Sequence, residues 1–123
     1  MIVGIPREIK NGECRAALTP GGVATLIGQG TKVWVEKGAG AKAGFPDDQY
    51  KKAGADIVAG ARQLWSGVKL IVKVKEPQPQ EFKFLSQDKI LFCFLHLAAE
   101  PGVTRALLKS KITAFASEEV RDA

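Results

Sequence analysis

The run Ile90-Leu91-Phe92-Cys93-Phe94-Leu95 is apolar at every position and rich in aromatics. A strand with one wet face alternates apolar and polar residues, so a strand without alternation is buried on both faces. Burial on both faces is the condition of a parallel sheet covered by helices on each side. This segment therefore predicts an α/β architecture. The residue directly after it is His96, the only histidine of the chain. In open α/β sheets ligands bind beyond the carboxyl ends of the strands. His96 stands at that edge, and its ordinary pKa allows proton exchange near neutral pH. The alternative is a structural histidine at a strand end, and the rest of the chain has to decide between them.

Other elements follow the same alternation. Ile2–Ile5 is a short strand, and Asn11-Gly12 marks a turn in the loop after it. Thr19-Pro20 is an N-cap followed by proline at the first helical position. Val23, Leu26 and Ile27 then form one helical stripe, closed by Gly30. Lys32–Glu36 is the second strand, and a loop rich in glycine spans Gly38–Gly44. Asp47–Ala53 reads as a short helix ended by Gly54, and Val58, Ala61, Leu64 and Trp65 as another. Leu70–Val74 is the third strand, followed by a stiff loop holding Pro77 and Pro79. Gln80–Leu85 is helical, Ile90–Leu95 is the fourth strand, Pro101–Ser110 a helix and Lys111–Ala116 the fifth strand. The expectation is a doubly wound, mostly parallel five-stranded sheet of flavodoxin-like or Rossmann-like type, in one domain over residues 1–123.

Composition narrows the function classes. With 46% hydrophobic and 25% charged residues the chain is globular. No apolar run approaches the ~20 residues of a membrane span. The opening Met1–Pro6 stops at Arg7-Glu8, too short for a secretory signal. Cys14 and Cys93 show neither C-x-x-C nor metal-ligand spacing, so no metal site is expected, and a reducing, cytoplasmic setting fits. The net charge of +5 is spread along the chain among acids, without a basic block. A basic cleft for a small anionic metabolite fits that distribution better than nucleic-acid binding.

If the first, third and fourth strands are parallel, the segments after them share one edge. Those segments hold Arg15, Lys75 and His96. An arginine fork binds a carboxylate through two parallel hydrogen bonds. A lysine adds a compact charge that can reach a carbonyl oxygen, and a histidine can shuttle a proton. Together they suit a small oxo or amino acid, although each taken alone could be a solvated surface group. One motif points elsewhere. Gly38-Ala-Gly40-Ala-Lys-Ala43 follows a strand and matches G-x-G-x-x-A, with Asp56 about eighteen residues on. A dinucleotide fingerprint must open a helix whose N-terminus holds the pyrophosphate. Gly44 and Pro46 interrupt such a helix, and Asp56 does not end the next strand. The loop reads as a turn that needs glycine's permissive backbone.

These segments also carry a family resemblance. Gly4-Ile-Pro-Arg-Glu-Ile-Lys-Asn-Gly-Glu-Cys-Arg15 resembles the opening of the alanine dehydrogenase and transhydrogenase family, as do Leu18-Thr-Pro-Gly-Gly-Val23, Glu36-Lys-Gly-Ala-Gly40 and Ala53-Gly-Ala55. Lys73-Val-Lys-Glu-Pro77 and Leu95-His-Leu-Ala-Ala99 look like the dehydrogenase branch, since the transhydrogenases lack the histidine and break the Lys-Glu-Pro pattern. The resemblance implies NAD-dependent oxidative deamination of L-alanine to pyruvate, and the reverse. It implies that Arg15 binds the substrate carboxylate, that Lys75 binds substrate and that His96 is the catalytic acid/base. Glu118 matches a family glutamate, with Ser117 where tyrosine is usual.

Family enzymes are about three times longer. They continue into a Rossmann domain that holds NAD and a catalytic aspartate, then return to complete the substrate domain, and the full-length forms are expected to be homo-oligomers. Residues 1–123 correspond to the N-terminal substrate domain alone. This chain by itself is expected to bind alanine or pyruvate without NAD and without turnover. The alternatives are a stand-alone small-anion module and a fragment of a transhydrogenase α-subunit.

Overall fold

The structure, a computed structural model, describes residues 1–94 and 101–116. Among these, six strands form one parallel sheet: β1 (Ile2–Ile5), β2 (Lys32–Glu36), β3 (Asp56–Val58), β4 (Leu70–Lys75), β5 (Ile90–Phe94) and β6 (Thr113–Ala116). Their order is β3-β2-β1-β4-β5-β6. The five expected strands are present and stand in the flavodoxin-like order. The count of five is corrected by β3, which pairs beyond β2 with Trp34 opposite Asp56 and Val35 opposite Ile57. The added strand converts the order to 3-2-1-4-5-6, that of doubly wound dinucleotide folds. Its three residues are too few to show a period. Val58 sits at helical spacing from Ala61, Leu64 and Trp65, so the sequence pattern assigns it to the helix that follows.

The helices begin and end for local reasons. In α1 (Pro20–Gly28) the Gly22 amide donates to the Thr19 hydroxyl oxygen at 3.1 Å, as an N-cap requires. Gly30, at φ 91°, then turns the chain toward β2. α2 (Asp47–Lys52) carries Asp47 and Asp48 in its first turn and Lys51 and Lys52 in its last, complementing the helix dipole. α3 (Ala61–Gly67) starts after extended Gly60, and α4 spans Pro101–Ser110 as expected. The helix that sequence places at Gln80–Leu85 is a 3₁₀ helix that begins at the second proline, Pro79–Phe84.

Two apolar layers flank the sheet. α1 and α2 bury Val23 and Tyr50 against Val3, Ile5, Val33 and Val35. The Tyr50 hydroxyl donates to the Leu18 carbonyl at 2.8 Å, so its polar end is satisfied inside that layer. On the other face α3, the 3₁₀ helix and α4 bury Leu64, Trp65, Leu85 and Leu107 against Ile71, Leu91 and Cys93. Each such large side chain contributes about 1.5–3 kcal/mol through burial. Among the described residues, only half of the α1–α2 face is covered. There β4, β5 and β6 present the register row Leu70–Ile90–Thr113 and the row Val72–Phe92–Phe115. Ile90 and Phe92 are half-buried, Phe115 is 51% exposed, and none of the three belongs to either layer. Among the described residues, no helix is long and apolar enough to cross a membrane.

Candidate active site at the strand ends

The sheet order reverses at β1, so the crevice beyond the carboxyl ends of β1 and β4 is the topological switch point. The loop after β1 supplies one wall of it, and the first side chain to define the site is an acid. Glu8 folds back onto the end of β4. Its Oε2 accepts from the Val74 amide at 2.9 Å, and its Oε1 from the Lys75 amide at 3.2 Å and from Lys73 Nζ at 3.1 Å. The register of β4 against β5 shifts between Val72 and Lys75. Where the ladder is irregular, Glu8 accepts the N–H groups. Lys73 also pairs with Glu81 of the 3₁₀ helix at 3.3 Å, and all three side chains are at most 3% exposed. Burial pushes the Glu81 carboxyl above the usual carboxylate range, with Lys73 opposing. Beside this triad, Lys10 pairs with the buried Glu76.

This network holds Lys75 by its backbone. Its side chain is half-buried at the end of β4. Among the described residues, its ammonium forms no ion pair.

Arg15 stands on the neighbouring loop. Its guanidinium is 63% exposed and grips Glu13 by one edge, Nε to Oε2 and Nη2 to Oε1, each at 2.9 Å. The Arg15 amide adds a third bond to Glu13 Oε2 at 2.8 Å. Glu13 itself is buried. Arg15 holds its carboxyl down at about 2, with a smaller contribution from the charge of Lys75. The segments that carry Arg15 and Lys75 leave neighbouring strands at the carboxyl edge of the sheet. His96 and Glu118 lie outside the described residues.

The glycine-rich loop borders the same edge. Arg7, Arg15, Gly38 and Lys42 line one shallow cleft. A dinucleotide does not fit the loop. Its only helix is the single 3₁₀ turn Ala41–Ala43, ended by Gly44 at φ 89°. The Gly38 amide is spent on the Asp47 carboxylate at 2.9 Å, an anion where a pyrophosphate would have to sit. A Cβ on Gly40 would lie 2.5 Å from the Tyr50 ring, so that glycine serves internal packing. Asp56 opens β3 and does not end it. A cavity of about 630 Å³ lies elsewhere, between the 3₁₀ helix and α4, and is lined by Phe82, Leu85, Arg105 and Lys109. Neither Arg15 nor Lys75 lines it. Among the described residues, no cluster of His, Cys, Asp or Glu could hold a metal.

Glu8, Glu13, Lys73 and Glu81 were not legible as site residues. One signal existed for Lys73: strict alternation places it on the face of buried Ile71, where a lysine demands an acid.

Comparison with known proteins bears on the family and the fold. The family model described as "Alanine dehydrogenase/PNT, N-terminal domain" matches residues 4–123. Alanine dehydrogenase of Bacillus subtilis is 48% identical over 122 residues, which are 99% of this chain and 32% of that protein. Alanine dehydrogenase of Mycolicibacterium smegmatis is 47% identical over 123 residues, 100% of this chain and 33% of that one. The chain thus spans about a third of the length of these relatives. A solved L-alanine dehydrogenase superposes with TM-score 0.91 at 45% identity, covering 94% of this chain and 32% of that chain. A solved transhydrogenase from Sinorhizobium meliloti gives TM-score 0.90 at 28% identity, over 100% of this chain and 36% of that one. With a family model across nearly its whole length and the same sheet beneath it, the chain belongs to the alanine dehydrogenase and PNT family, of which it carries the N-terminal domain.

Proposed function

We propose that residues 1–123 are the substrate-binding part of an NAD-dependent alanine dehydrogenase, which converts L-alanine, NAD and water to pyruvate, ammonia and NADH. One observation carries the reading: the sheet order brings the segments holding Arg15 and Lys75 together at the switch point, and the Arg15 fork is engaged by Glu13 along one edge only. In this reading Arg15 fixes the substrate carboxylate and Lys75 hydrogen-bonds the oxo group. His96, two residues beyond the end of β5 in sequence, exchanges the proton at the reacting carbon's oxygen or nitrogen. NAD would supply the hydride acceptor of that reaction. No residue of the Gly38–Ala43 loop fits it, and in this reading a Rossmann domain outside residues 1–123 would hold it.

A cytoplasmic setting and a homo-oligomeric whole enzyme belong to this reading. A second reading, a stand-alone binder of small anions, is favoured by the same two cations beside a loop that cradles no dinucleotide.

The test is NADH formation from alanine by the 123-residue protein, alone and with a separately expressed Rossmann domain of a relative. Activity only in the mixture supports the dehydrogenase reading. No activity in the mixture, with pyruvate binding intact, favours the anion module. Arg15→Ala is expected to weaken pyruvate binding by about 2 kcal/mol or more, as loss of a charge-assisted pair does.

A further inference from the structure

We propose that Glu13 sets the charge of the acid this edge accepts, occupying one side of the Arg15 fork so that a monocarboxylate is matched and a dicarboxylate is not. The inference rests on Arg15 and Lys75 being the substrate contacts.

The geometry is that of a guanidinium with two usable edges. Glu13 takes the Nε–Nη2 edge through both of its oxygens. The Nη1–Nη2 edge has no acceptor among the described residues, and it keeps the planar pair of donors a second carboxylate needs. Glu13 thus leaves Arg15 able to bind while offsetting its positive charge, so that Lys75 carries the remaining unit at this edge. The other groups at the cleft alter this balance little. Arg7 is answered by Glu36, with Nε to Oε2 at 3.9 Å, and Glu8 by Lys73. Lys42 stands on the exposed 3₁₀ turn.

Glu13 is fixed in this role. It is buried, it is bonded to the Arg15 amide as well as the side chain, and it stays ionised down to about pH 2. A ligand with one negative charge is balanced by the remaining unit of positive charge. A second negative charge on the ligand is repelled by Glu13, and among the described residues lining the cleft only Lys42, on the exposed 3₁₀ turn, is a cation without an ion pair to oppose it.

The experiment compares pyruvate with oxalate, which has the same planar frame and one more negative charge at pH 7. Both are titrated into the 123-residue protein at low salt and followed by amide chemical shifts. In Glu13→Gln the ratio of oxalate to pyruvate affinity is expected to rise about tenfold, and the rise should shrink with added salt. Glu13→Met, of similar volume, serves where the glutamine variant does not fold. A change of equal factor for both ligands would make Glu13 a packing residue only and overturn the inference. Arg15→Ala separates the two failures. If it weakens both ligands and the Glu13 ratio is unmoved, the inference alone falls. If it changes neither, the site reading falls and the inference with it.

Discussion

Neutralising Glu8 should cost far more stability than neutralising Glu81, although both carboxylates pair with the same buried Lys73. Glu8 uses both oxygens for three hydrogen bonds, from Lys73 Nζ and the amides of Val74 and Lys75. In Glu8→Gln one acceptor becomes an NH₂ group facing a donor, and a buried unsatisfied donor costs about 1–3 kcal/mol. Lys73 is left with Glu81, whose ionised form burial already disfavours. Breaking a buried ion pair from one side costs about 3–5 kcal/mol. We therefore expect Glu8→Gln to lose about 3–4 kcal/mol, a large part of the ~5–15 kcal/mol of an ordinary domain. Glu81→Gln should lose only about 1–2 kcal/mol, because Glu81 accepts two bonds, from Lys73 and from the Gln78 amide, and its carboxyl is already pushed toward neutrality. Urea unfolding at pH 7 reads the difference directly. At a slope of about 1–3 kcal/mol/M, Glu8→Gln shifts the midpoint by roughly 1–4 M. Equal losses, or a larger loss for Glu81→Gln, would refute the assignment of Glu8 as the centre of the network.

Two further outcomes follow from local geometry. Glu13 is held at about 2 against an ordinary 4.5, so its stabilising contribution is present above 4.5 and lost as pH falls toward about 2; Glu13→Gln should flatten acid unfolding over that window, measured by circular dichroism. Lys111 adopts φ 60° just after α4, where glycine is the usual residue, so Lys111→Gly should stabilise by about 0.5–1 kcal/mol, seen as a thermal midpoint higher by a few degrees.

The elements that sequence made legible are those with a period or a punctuating residue. Thr19-Pro20 and Gly30 bounded α1, and the unbroken apolar run announced β5. β3 escaped because three residues have no period and Val58 continued a helical stripe. The last strand begins at Thr113, two residues later than expected, because Lys111 takes the left-handed turn after α4. At the site, topology alone brought Arg15 and Lys75 to one edge, since both follow strands that the sheet order makes neighbours. The acids behind them were hidden for a physical reason. Glu8 and Glu13 sit in a polar loop that reads as solvated, and only the register shift in β4 creates the unpaired amides that draw Glu8 inward. Arg15 read as an open fork, whereas one of its edges is held by a glutamate two residues away.

The central claim is that a small carboxylate binds between the ends of β1 and β4. An amide-shift titration of the 123-residue protein with pyruvate tests it most directly. The expected result is a saturable set of shifts at residues 13–15 and at Val74 and Lys75, abolished by Arg15→Ala. Shifts gathered instead around Phe82, Arg105 and Lys109, where the 630 Å³ cavity opens, would contradict it.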